Sequence, residues 1–93
     1  MPKYIVRVEL RNEASDDYQK LNLLMQGIGF ANLITSNDGR AYQLPAGEFI
    51  RIDVRCATAV LDLVESFLIT RFNDPAILVM DCEDIAWHLP RVE

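Results

Sequence analysis

The segment Asn37-Asp38-Gly39-Arg40 constrains the fold more than any other stretch of the chain, because Gly and Asn or Asp tolerate the positive φ values of a tight reversal. Phe30 to Ser36 before it reads as a strand and Ala41 to Leu44 after it as the return, so the turn predicts a hairpin near the middle of the sequence. A hairpin alone is marginally stable in water and needs a further layer to cover it. With 93 residues, 51% of them apolar and 25% charged, the chain has material for one core between two layers and none for a second domain. Residues 1–93 are therefore expected to form a single domain.

The flanking segments supply those layers. Lys3 to Arg11 alternates, with Tyr4, Val6, Val8 and Leu10 on one face and Lys3, Ile5, Arg7, Glu9 and Arg11 on the other, as in a half-buried strand. Asn12 to Ala14 reads as a turn and Ser15 as a helix N-cap, followed by Asp16 and Asp17, which suit the positive end of a helix. Tyr18, Leu21, Leu24, Met25 and Ile28 then form one helical stripe, closed by Gly27 and Gly29.

Pro45-Ala46-Gly47 makes another turn, and Glu48 to Cys56 is a further strand, with Ile50, Ile52 and Val54 expected inward and Phe49, Arg51, Asp53 and Arg55 outward. From Ala57 to Phe72 the apolar residues Val60, Leu61, Val64, Phe67, Leu68 and Phe72 recur at helical spacing. Asn73-Asp74-Pro75 breaks that helix, and Ala76 to Asp81 is a last apolar strand. In the tail from Cys82 to Glu93, Ile85, Trp87 and Leu89 alternate with polar residues, which predicts an extra short strand or a helical turn.

The order strand, helix, strand, strand, helix, strand is that of a ferredoxin-like α+β sandwich, βαββαβ, with two helices on one face of an antiparallel sheet. Cys56 and Cys82 are too few for a disulfide scaffold and lack metal-site spacing. The topology sets them about 9–10 Å apart, beyond disulfide reach, so two buried thiols are expected. No leader or membrane segment is expected from a start interrupted by Arg7 and Glu9, and the expected location is the cytoplasm.

A net charge of -5 argues against general nucleic-acid binding, DNA included, since that binding is mostly counterion exchange along phosphates. The average conceals a local pattern. The alternation predicts Lys3, Arg7, Arg11, Arg51 and Arg55, five of the nine cations, on the sheet face away from the helices, with Glu9 and Asp53 among them. Such a face could track an RNA backbone, could hold its charges in cross-strand ion pairs, or could pack against a second copy. His88 has no catalytic partner nearby in sequence, and the acid pairs Asp16-Asp17 and Glu83-Asp84 read as solvated turn or helix-start residues. No phosphate-cradling glycine loop, nucleophile elbow or zinc signature is present.

Tyr4-Ile5-Val6, Leu21 through Met25, Phe30, Asp38-Gly39, Gln43-Leu44, Phe49 and Leu61-Asp62-Leu63 carry a resemblance to the GhoS antitoxin family, whose fold is like that of the CRISPR-associated adaptation nucleases. The resemblance implies a ferredoxin-like homodimer and a type V antitoxin, an endoribonuclease that cleaves the mRNA of its partner toxin, a small membrane-damaging protein. It sets Glu9 where the related nucleases tend to carry an acid near the end of the first strand, usually Asp. Lys20 represents the family's cations on the first helix, and Asn22 stands where a second would be expected.

The expected site is then Glu9 and Arg7 as catalytic residues, with Arg11, Lys20, Arg51 and Arg55 binding RNA. Two routes fit these residue types. One activates the ribose 2′-hydroxyl and needs no cofactor; the other has Glu9 and Asp53 hold a divalent ion. The route without metal is favoured, because carboxylates set among arginines are satisfied by them. The competing reading is a non-catalytic ferredoxin-like homodimer that acts as a protein-binding module.

Overall fold

The computed structural model describes residues 2–11, 16–53 and 55–92. Its elements run β1 (Lys3–Glu9), α1 (Asp17–Gly27), β2 (Leu33–Thr35), β3 (Ala41–Gln43), β4 (Glu48–Ile52), α2 (Ala57–Leu68) and β5 (Ala76–Asp81). The expected turn at Asn12 to Ala14, the Ser15 cap and the inward placement of Val54 lie outside the described residues.

β1 is central in a three-stranded antiparallel sheet of order β4-β1-β5. Ala31, just ahead of β2, forms a bridge to Ile50 on the outer edge of β4 through paired backbone hydrogen bonds of 3.0 and 2.7 Å. The chain thus adopts the α+β, ferredoxin-like arrangement read from the sequence. β2 and β3 splay away from that edge as a separate two-stranded sheet. Their turn carries Gly39 at φ +85°, and the Asp38 carboxylate accepts hydrogen bonds from the Ser36 hydroxyl and the Arg40 N–H.

Tyr4, Val6, Val8 and Leu10 of the β1 segment are buried against Leu21 and Met25 of α1 and Val60, Val64 and Leu68 of α2. Alternation on β1 therefore identified its core face. On β4 the expected orientation is reversed. Phe49 is 0% exposed and Asp53 6%, whereas Ile52 is 58% exposed. The register explains this: Val6 pairs with Phe49 and Tyr4 with Arg51, and directly paired residues share a face. That register is anchored by Gly47 at φ +82°, whose carbonyl accepts a 2.7 Å hydrogen bond from the Val8 N–H.

Two further expectations are corrected. Cys56 is exposed at the start of α2 and Cys82 is half-buried, so neither is a core thiol, and both are free. The tail forms no strand over Ile85 to Leu89. It reaches β3 later, where the Gln43 N–H donates to the Pro90 carbonyl and Arg91 bridges Tyr42. Proline has no N–H to return, which limits that pairing. No helix among the described residues is long and apolar enough to cross a membrane.

Candidate nucleic-acid interface

The sheet face away from the helices can be read row by row from the register. Ile52 stands beside Lys3; Ile50, Ile5 and Met80 form the next row; Glu48, Arg7 and Leu78 the third; Glu9 and Ala76 the last. Its middle is apolar. Its cations are Lys3 and Arg7, matched by Glu9 and Glu48. The expected five-cation face is therefore not formed, because the reversal of β4 removes Arg51 and Arg55 from it and β1 ends before Arg11.

Arg7 and Glu9 project from the same side of β1, about 7 Å apart along the strand. Both are exposed, and among the described residues neither side chain makes a hydrogen bond or ion pair. A carboxylate able to accept a proton thus stands next to a guanidinium with all its donors available. The two residue types thus supply an acceptor and a cation on one exposed side of β1.

Arg11 and Lys20 are brought together, though not on the sheet face. Both line a shallow cleft of about 280 Å³ between the end of β1, the first turns of α1 and the end of α2. Arg11 Nε donates to the Asp74 carbonyl at 3.0 Å and lies 3.5 Å from its carboxylate, while Lys20 lies 3.7 Å from Asp16. These pairs are more than half exposed, so they contribute little and can yield to a phosphate. Arg71, which sequence reasoning missed, lines the same cleft. Its Nη1 donates to the Phe67 carbonyl at 2.7 Å and its guanidinium stacks 4.0 Å over the Phe67 ring. The signal that could have located it is its place after the last turn of α2, where a cation is favoured by the helix dipole.

Arg51 and Arg55 converge elsewhere, on Asp53. Arg55 donates to the Asp53 carboxylate through Nε, Nη2 and its backbone N–H at 2.8–3.2 Å, and Arg51 Nε adds a contact of 2.8 Å. Hydrogen bonds from Arg55, side chain first and backbone second, hold the Asp53 carboxyl well below the usual carboxylate range. The Tyr4 hydroxyl donates to the Arg55 carbonyl. Burial, followed by the nearby Asp81 carboxylate, pushes that phenol up. Arg51 Nη1 also donates to the Ile28 carbonyl at the C-terminal end of α1, 2.6 Å away, and the guanidinium lies 5.2 Å over the Phe30 ring. These are ion pairs within one segment and on the helix side of the sheet, not the cross-strand pairs on the open face that the sequence suggested.

The same geometry separates the two carboxylates once paired as metal ligands. Asp53 hydrogen-bonds through its N–H to the Pro2 carbonyl, so it lies the length of β1 from Glu9, about 23 Å, and on the other face. Among the described residues no three His, Cys, Asp or Glu side chains converge as a cation site.

No curated protein matches the chain in sequence. The family model described as endoribonuclease GhoS matches residues 1–87, which takes in every helix and strand described above. The chain belongs to the endoribonuclease GhoS family.

Proposed function

We propose that this chain is a cytoplasmic antitoxin-type endoribonuclease that cleaves the mRNA of a partner toxin, using the exposed Glu9–Arg7 pair on β1. The observation that carries this reading is the unpartnered state of that pair among the described residues, at the end of the sheet nearest Arg11. Glu9 takes the proton from a ribose 2′-hydroxyl, whose oxygen attacks the adjacent phosphorus. The bond to the 5′-oxygen breaks, leaving a 2′,3′-cyclic phosphate and a 5′-hydroxyl protonated from water. Arg7 stabilises the charge that grows on the phosphorane oxygens. Arg11, Lys20 and Arg71 steer the flanking phosphates. No resident cofactor enters this sequence of steps.

Arg7→Ala should lower the cleavage rate of a single-stranded RNA about 10²–10³-fold with the urea midpoint unchanged. Cleavage at the wild-type rate would move the site off β1.

A second reading, the homodimer, is favoured by one observation: Ile52, Leu78 and Met80 are 58%, 54% and 37% exposed on the same sheet face. A second copy packed on that apolar middle would leave the Glu9 row at the rim. Concentration-dependent sedimentation tests it, with Leu78→Asp expected to hold the chain monomeric. A wild-type chain that stays monomeric at high concentration would contradict it.

A further inference from the structure

Where β2 and the turn after it splay from the edge of β4, they leave a groove of about 930 Å³, closed on its third side by the tail. That volume falls in the range of small-molecule sites. We infer that this groove is a base-reading subsite that takes one unstacked guanine nucleotide of a single-stranded RNA, with the base on Trp87 and its phosphate on Arg51. The inference rests on the RNA reading above and adds to it where sequence preference would originate.

Three features carry it. Trp87 lines the groove, and Tyr42 packs edge-on against it at 5.8 Å and 60°. The indole plane is therefore held in place, as a stacking platform requires.

Arg51 is fixed by bonds from Nε to Asp53 and from Nη1 to the Ile28 carbonyl, which use two of the five guanidinium donors. It lies so close over Gly29 that any side chain there would strike Nη1. A cation anchored in this way, with donors left over, binds phosphate at low entropic cost.

Glu83 and Asp84 line the same groove. Carboxylates repel a phosphate but accept base N–H groups. Guanine alone presents two adjacent N–H donors on its Watson–Crick edge, matching the two oxygens of one carboxylate.

The chain has a single tryptophan, so its fluorescence reports this groove directly. Fluorescein-labelled 2′-O-methyl oligoribonucleotides, which cannot be cut through the 2′-oxygen, are titrated into the full chain while label anisotropy and tryptophan emission are read together. The expected result is saturable quenching with the same midpoint as the anisotropy, tightest for oligo-G. Trp87→Ala should weaken binding about 5- to 150-fold. The double variant Glu83→Gln, Asp84→Asn alters only exposed side chains and should abolish the guanine preference while retaining binding of other sequences.

Binding by anisotropy without quenching, or a guanine preference that survives the double variant, would overturn the subsite and leave the RNA reading standing. Absence of any RNA binding would overturn both. Quenching by an extended peptide and by no RNA would likewise overturn the subsite in favour of a protein ligand.

Discussion

Substituting Phe49 and Ile52 separately by Ala tests the orientation of β4, on which the whole division of the cations depends. Phe49 is fully buried between β1 and the helices, while Ile52 is 58% exposed on the opposite face. Truncating a buried Phe costs about 3–5 kcal/mol, transfer and cavity included. A chain of this length has about 5–14 kcal/mol of stability in total, so Phe49→Ala removes about a fifth of it or more. Near the melting temperature that corresponds to a drop of roughly 12–40 °C. Ile52→Ala leaves no cavity and should cost under about 1 kcal/mol. Urea unfolding followed by circular dichroism, at low protein concentration, gives both numbers from the midpoint at constant slope. Equal losses, or the larger loss at Ile52, would refute the register and return Arg51 and Arg55 to the open face.

The remaining expectations follow from the same geometry. Because the folded-state pKa of Asp53 is depressed, its contribution is complete above the unfolded value of about 4 and is lost as pH falls through the lower folded value. Wild-type stability should thus decline more steeply below pH 4 than that of Asp53→Asn, and parallel urea-midpoint profiles would contradict the Arg51–Asp53–Arg55 cluster. Gly47→Ala should destabilise by more than about 1 kcal/mol, since a Cβ there meets the Val8 carbonyl at a φ of +82°; a neutral effect would contradict the anchoring turn. Neutralising Arg11 and Arg71 together should reduce the salt slope of RNA binding by about 1.4, at about 0.7 per phosphate contact on single strands, and an unchanged slope would exclude the cleft from the RNA path.

Much of this fold could be read from local pattern. On β1 the alternation has one answer, since Tyr4, Val6, Val8 and Leu10 are apolar and the opposite set carries the charges. The stripe on α2 and the Asp38-Gly39 turn are equally direct. β4 is different because Phe49-Ile50-Arg51-Ile52 offers an apolar residue to either face, and the pattern alone weights Ile50 and Ile52 over Phe49. The deciding interactions are long-range: Gly47 hydrogen-bonds to Val8, and Asp53 is tolerated inside because two arginines and a backbone N–H satisfy it. Arg7 and Glu9 were placed together by strand parity, and that juxtaposition holds. Arg71 and the Trp87 groove depend on how α2 ends and on how far β2 and β3 diverge from β4, which no window of sequence encodes.

The central claim is that Glu9 removes the 2′-hydroxyl proton, and the single-turnover cleavage rate of Glu9→Gln measures it most directly. Glutamine keeps the size and exposure of the side chain and cannot act as the base. The expected rate is about 10²–10⁴-fold below wild type, with RNA affinity retained and wild-type products ending in a 2′,3′-cyclic phosphate. Cleavage by Glu9→Gln at the wild-type rate would contradict it.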